Sequence, residues 1–164
     1  KEHFKKSYPN LILSTGDTPS CSLMEDFNGI DEIRPGNFVF YDVMQWQLGA
    51  CSEDDIALAL VAPVVAKHSS RNEIVLYGGA VHLSKDHIIG AKGEISYGKI
   101  APFDGKEWGK SYEETYIRKL SQEHGIIKTN KTHFDQFEIG DLFAVLPVYS
   151  CLTADAMGFN YRIV

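Results

Sequence analysis

Residues 11–42 contain LILSTGDTPSCS (Leu11–Ser22), an acidic insert, and then GIDEIRPGNFVFYD (Gly29–Asp42). An apolar strand over Leu11–Ser14 runs into a turn of small and hydroxyl-bearing residues, Ser14-Thr15-Gly16-Asp17-Thr18-Pro19-Ser20. A second turn, Arg34-Pro35-Gly36-Asn37, opens the aromatic and β-branched run Phe38–Val43, which predicts another strand. Two such turns, close in sequence, can offer backbone N–H groups and hydroxyls to one anion, and Arg34 adds a planar guanidinium beside them. The same residues also make ordinary loops, and no GxxxxGK phosphate signature is present.

Outward from this stretch, residues 1–10 are polar and end in Tyr8-Pro9-Asn10, a helix tail or linker. The Leu11–Ser14 strand, short and apolar, reads as buried on both faces in a larger sheet. Residues 24–33 read as a loop or one helical turn. Ile56–Ala66 is ambiguous by periodicity, with Ser52 and Asp55 spaced as a capping box. Pro63 in its interior would cost a helix about 3 kcal/mol, so a strand with a bulge or bend is predicted.

Glu73–Leu83 reads as a strand interrupted at Gly78-Gly79, and residues 84–114 as a long excursion with short strands. Tyr116–Lys128 reads as a strand pair turning at Gly125, or alternatively one short helix. Phe134–Ile139 and Leu142–Tyr149 continue the β pattern, Ser150–Met157 reads as a helical turn, and Asn160–Val164 as a last strand. Many short strands without strand–helix alternation predict a mainly β fold, an antiparallel β-barrel or sandwich.

A chain of 164 residues with 44% apolar content can bury one sizeable core, and 23% charged residues is an ordinary globular composition. A net charge of −6 argues against nucleic acid and anionic membranes as main partners, since both reward a basic surface. Cys21, Cys51 and Cys151 are odd in number and widely spaced, which makes no disulfide framework and points to a reducing cytoplasm.

The ordered motifs STGDTPS, DEIRPGNFVFYD, GGAVHLSKD, QEHG and GDLFAVLPVYSCLTADAM resemble the carboxy-terminal part of the D-threonine aldolase and D-serine dehydratase family, from about Leu11 to about Met157. Those are pyridoxal-phosphate enzymes related in fold to alanine racemase. The resemblance implies that residues 1–24 are the end of a truncated (β/α)8 cofactor domain and residues 25–164 a β-barrel domain. Lys1 would then be an artificial start, and the uncapped Arg162-Ile163-Val164 end reads in the same way. It also implies a homodimer and a small D-amino-acid substrate of the D-threonine or D-serine kind. The reaction would be that of an aldolase or dehydratase. A racemase of the same fold type and a non-catalytic phosphate-binding β domain are the alternatives.

By the same resemblance, Gly16, Thr18, Arg34, Gly36 and Asn37 would contact the pyridoxal phosphate, and Glu123-His124-Gly125 would lie near the active centre; Tyr41, like Tyr77 and Tyr97, could reach the cofactor or serve as an ordinary core aromatic. His124 is the candidate catalytic residue, because imidazole moves protons near neutral pH. Tyr149-Ser150-Cys151 stands where the family usually carries His-x-Cys or His-x-Asp, the ligands of a divalent metal such as zinc or manganese. Tyr149 is a departure, since a neutral phenol is a poor zinc ligand; His82, His124 and His133 are the possible replacements. The family's Schiff-base lysine lies upstream of every matched motif. Lys85, Lys92, Lys99, Lys106 and Lys110 read as loop residues, so the isolated chain is expected to be catalytically silent.

Overall fold

The computed structural model describes residues 2–164. In chain order the strands are β1 (Ser14–Thr15), β2 (Glu32–Ile33), β3 (Leu60–His68), β4 (Glu73–Leu76), β5 (Ile88–Ile89), β6 (Ile95–Ser96), β7 (Gly98–Pro102), β8 (Tyr116–Leu120), β9 (Gly125–Lys128) and β10 (Leu142–Pro147). The helices are α1 (Glu2–Lys5), α2 (Thr18–Leu23), α3 (Val43–Gln47), α4 (Lys131–Gln136) and α5 (Ser150–Met157).

Six strands close into an antiparallel barrel in the order β10-β3-β4-β9-β8-β7, with β7 returning to β10. The fold is therefore mainly β and a barrel, not a sandwich. Alternate residues of each strand point inward. Leu60, Ala62, Val64, Ile74, Leu76, Ile100, Ile117, Ile127, Phe143 and Val145 fill the core, joined by Leu83, Phe134 and Phe137. The β3–β4 register shifts between Val64 and Ala66, so the bulge expected near Pro63 falls just after it. Pro63 sits inside β3 without breaking it, its carbonyl accepting from Tyr77 N–H at 3.0 Å.

Strand β10 is buried on both faces from Phe143 onward. Phe143 and Val145 face the barrel core, while Leu146 packs outward with Val148, Val43, Ile56 and Ile88. That outer cluster docks α3 against the barrel, and two residues, Val148 and Tyr149, separate the end of β10 from the start of α5. The amino-terminal turns are thereby held close to the start of α5.

Ahead of the barrel, β1 and β2 pair in parallel with α2 between them in the chain. Asp17 caps α2 by accepting from Ser20 N–H at 2.8 Å, and Pro19 lies in its first turn. Strand β1 covers Ser14–Thr15, and Ile12 and Leu13 are exposed, so the strand expected over Leu11–Ser14 is not buried on both faces. A two-stranded pair offers no second layer to cover it.

Four further expectations are corrected. Phe38–Val43 is not a strand: Asn37–Val39 forms a 3₁₀ turn and α3 starts at Val43. Tyr41, at φ 47°, turns the chain away from extended geometry, and Asp42 caps the helix through Gln45 N–H at 2.8 Å. Phe134–Ile139 begins inside helix α4, whose cap, Asn130, accepts from His133 N–H at 2.9 Å. Asn160–Val164 has no regular structure, and Lys99 lies on β7 instead of in a loop.

The turn expected at Gly125 lies at Ser121–His124, where Ser121 N–H donates to the His124 carbonyl at 2.8 Å. Ser52 and Asp55 do form a capping box, but it opens a 3₁₀ turn. No helix among the described residues is long and apolar enough to cross a membrane.

Candidate active site

The buried carboxylate of Asp42 is the centre of the polar structure between the turns and the barrel. Its Oδ1 accepts from Gln45 N–H, and its Oδ2 accepts from Asn37 Nδ2 at 2.5 Å and from Ser150 N–H at 3.2 Å. Asn37 is also buried; its backbone N–H donates to Thr18 Oγ1 at 2.9 Å, and its Oδ1 accepts from Cys151 Sγ at 3.4 Å. Ser150 Oγ donates to the Tyr41 carbonyl at 2.6 Å, and the Tyr41 hydroxyl lies 3.3 Å from Ser22 Oγ. Charge-accepting bonds of this kind repay the desolvation of a buried carboxylate.

Four of the residues named from the sequence thus converge: Thr18, Asn37, Tyr41 and Cys151. Two members of the cluster, Asp42 and Ser150, are not among those named residues. Asp42 reads as the end of a strand, and the signal that would find it is its spacing as a helix cap, three residues before Gln45. The Cys151 thiol is pushed up by burial and, beyond that, by the Asp42 charge. Cys51, near the same carboxylate, is pushed up by burial and then by Asp55 and Asp42. Gln45 Oε1 is a buried acceptor with no partner among the described residues.

Gly16 lies against Arg34: a Cβ at Gly16 would stand 3.1 Å from Arg34 Cβ and from the Arg34 carbonyl oxygen. The absence of a side chain at Gly16 lets the two turns pack this closely without either shifting. The Arg34 guanidinium is anchored through Nε, which donates to Ser14 Oγ at 2.7 Å and lies 3.1 Å from Glu32 Oε1. This leaves its two terminal nitrogens directed to no group among the described residues. Gly36, with φ −81° and open space around it, needs no glycine-specific geometry.

His124 belongs to a different place. With His82 it flanks the half-exposed ring of Tyr77, at centroid distances of 5.7 and 5.5 Å. Gly79 permits this approach, because a Cβ there would stand 2.4 Å from Glu123 C and His124 N. His82 Nδ1 accepts from Gly79 N–H at 3.2 Å. His133 is used in the core, its Nδ1 lying 3.1 Å from Thr115 Oγ1 and its ring stacking on Phe137.

The residues present fit a phosphate-bearing cofactor at the paired turns, where Arg34 keeps donors unspent and Thr18 retains its hydroxyl proton. They do not fit zinc or manganese at Tyr149 and Cys151. Tyr149 contributes a phenol, Cys151 holds its proton toward Asn37, and no group of three or more His, Cys, Asp or Glu among the described residues is placed to hold a metal.

The architecture is thus a closed β-barrel entered from a parallel strand–helix–strand unit, with a polar cluster where the two meet. The chain belongs to the family described as the putative serine dehydratase domain, whose family model matches residues 57–163. It is 31% identical to the D-serine dehydratase of Dictyostelium discoideum, covering 93% of this chain and 39% of that protein. It is 24% identical to the D-threo-3-hydroxyaspartate dehydratase of Delftia sp. (strain HT23), over 88% of this chain and 39% of that one. A solved structure of an alanine racemase-like protein from Idiomarina loihiensis superposes with a TM-score of 0.80 at 26% identity, covering 94% of this chain and 42% of that one. The chain therefore spans about two fifths of the length of the relatives it matches.

Proposed function

We propose that this chain is the carboxy-terminal domain of a pyridoxal-phosphate-dependent lyase that dehydrates or cleaves small D-3-hydroxy amino acids such as D-serine and D-threonine. Residues 1–24 are then the end of a (β/α)8 cofactor domain, and residues 25–164 the barrel domain. The observation that carries this reading is one hydrogen-bonded network around Asp42: Asn37 and the Ser150 N–H bind its carboxylate, Thr18 and Cys151 join through Asn37, and the Tyr41 carbonyl joins through Ser150. The parallel β1–α2–β2 unit is the connectivity of a (β/α) barrel. The exposed side chains of Ile12, Leu13, Leu23 and Ile33 suit a chain that continues into more structure.

Pyridoxal phosphate, when bound, supplies the electron sink for breaking bonds at Cα or Cβ. Arg34 and the Thr18 hydroxyl hold its phosphate, with Gly16 and Gly36 admitting it to the backbone. Asn37 and Tyr41 orient the ring side of the site. The His124 imidazole, which stands apart from this cluster beside Tyr77, carries a proton to or from the substrate where the barrel domain of one subunit closes the site of the other. No lysine among the described residues stands in this cluster, so in this reading the cofactor-linking lysine comes from the longer protein. A homodimer, in which the barrel domain of one subunit closes the site of the other, and a cytoplasmic location complete the reading. Three free thiols suit that compartment.

The test is the natural gene product, assayed with its cofactor in place. A chain longer by a barrel of about 250 residues, with a pyridoxal adduct on a lysine and release of 2-oxo acid and ammonia from D-serine or D-threo-3-hydroxyaspartate, is the expected result. Residues 1–164 alone should show neither cofactor absorbance nor turnover, and either signal would overturn the division of labour. Entry of solvent deuterium at Cα without loss of the side chain would instead identify a racemase. A native product of this size without adduct would identify a binding domain.

A further inference from the structure

The start of α5 is fastened by side chains that leave no room for a ligating role. Ser150 is tied twice, through its N–H to Asp42 Oδ2 and through its hydroxyl to the Tyr41 carbonyl. Asn37 spends its Nδ2 on the same Asp42 oxygen. That bond fixes the sense of the amide, so the atom it turns toward Cys151 is the carbonyl oxygen Oδ1, 3.4 Å from Sγ. A carbonyl oxygen requires a donor opposite it. Cys151 Sγ is thus engaged by Asn37, and no group of three or more His, Cys, Asp or Glu among the described residues is placed to complete a metal site with it. Tyr149, the residue two before it, presents a half-exposed phenol with no hydrogen bond to its hydroxyl among the described residues.

We infer that the Asn37–Asp42 pair, and no divalent cation, fastens the first turn of α5 to the Arg34–Asn37 turn, so that this protein takes no zinc or manganese through Cys151. This goes beyond the proposed lyase function and stands without it: a protein that proved to be a binder would carry the same network.

The experiment uses the natural full-length protein, its Cys151→Ala variant and its Asp42→Asn variant. Each is incubated with zinc chloride or manganese chloride and dialysed. Metal per chain is then measured by mass spectrometry, and melting temperature is measured with and without EDTA. Equal metal content in wild type and Cys151→Ala is expected, whether that content is zero or reflects a site elsewhere. EDTA should move the two melting curves by the same amount. Asp42→Asn should melt several degrees lower than wild type under every metal condition. One metal per chain in wild type that Cys151→Ala loses would overturn the inference. So would a fall in melting temperature on EDTA treatment that only wild type shows, or an Asp42→Asn protein as stable as wild type. If Asp42→Asn does not fold, the comparison of metal content between wild type and Cys151→Ala still decides.

Discussion

Cys151 donates its thiol hydrogen to Asn37 Oδ1 at 3.4 Å, which joins residues 114 positions apart. One is the last residue of the Arg34–Asn37 turn and the other lies in the first turn of α5, so the contact spans the whole barrel in sequence. Asn37→Ala removes it together with the bond to Asp42, leaving a buried carboxylate oxygen short of a donor. The expected loss is about 1–3 kcal/mol, measured by urea denaturation.

Gly36, one residue earlier, behaves in the opposite way. Its φ of −81° suits any residue and nothing lies within reach of a Cβ. Gly36→Ala should leave stability unchanged or raise it by about 0.4–1 kcal/mol, through the unfolded chain. Any loss of cofactor affinity in the holoenzyme would then report on backbone approach to the ligand, because the fold supplies no other reason.

Glu73 gives the protein an acid-sensitive element. Burial pushes its carboxyl up, but the Arg71 and Arg118 guanidinium groups beside it outweigh burial and hold it below the ordinary value of 4.5. A carboxyl depressed in the folded state contributes stability that is fully present above its unfolded pKa and is lost as pH falls through the folded one. Glu73→Gln should therefore cost about 1–2 kcal/mol at pH 7, since both arginines are partly exposed. The gap to wild type should narrow below about pH 4, as read from melting temperatures across a pH series.

Gly79→Ala forces a Cβ into the Glu123–His124 backbone at 2.4 Å. The turn must shift, at an expected cost of about 1–3 kcal/mol. The imidazole resonances of His124 and His82 should both move, because both rings pack on Tyr77. A spectrum unchanged at those two histidines would show that the turn yields elsewhere.

His124→Gln separates chemistry from structure. The ring is half-buried and its side chain meets Tyr77 edge to face, so stability should change by less than about 1 kcal/mol. If the imidazole carries a proton in the holoenzyme, kcat should fall about 10²–10⁴-fold. Unchanged kcat would remove His124 from the catalytic set.

Much of the barrel is legible in the order of residues. Ile56–Ala66, Tyr116–Lys128 and Leu142–Tyr149 carry β-branched, period-two or doubly buried patterns, and each holds a barrel strand. The errors fall where a capping side chain overrides composition. Phe38–Val43 has the residues of a strand, but Asp42 caps α3 and Tyr41 takes a left-handed φ. Phe134 and Phe137 look like strand residues and are core residues at helical spacing behind the Asn130 cap. Propensity is weak enough for one cap and one buried face to reverse it.

Local sequence alone settles the mainly β class, the small-residue turns and the motifs that mark the family, because these depend on residues close together in the chain. It places Thr18, Asn37, Tyr41 and Cys151 among the candidates without relating them to each other. Only folding in three dimensions joins them in one network around Asp42, closes the barrel through β7 and β10, and sets His124 apart beside Tyr77. Those are long-range pairings, set by which faces must be buried together, and local sequence carries no record of a partner more than 100 positions away.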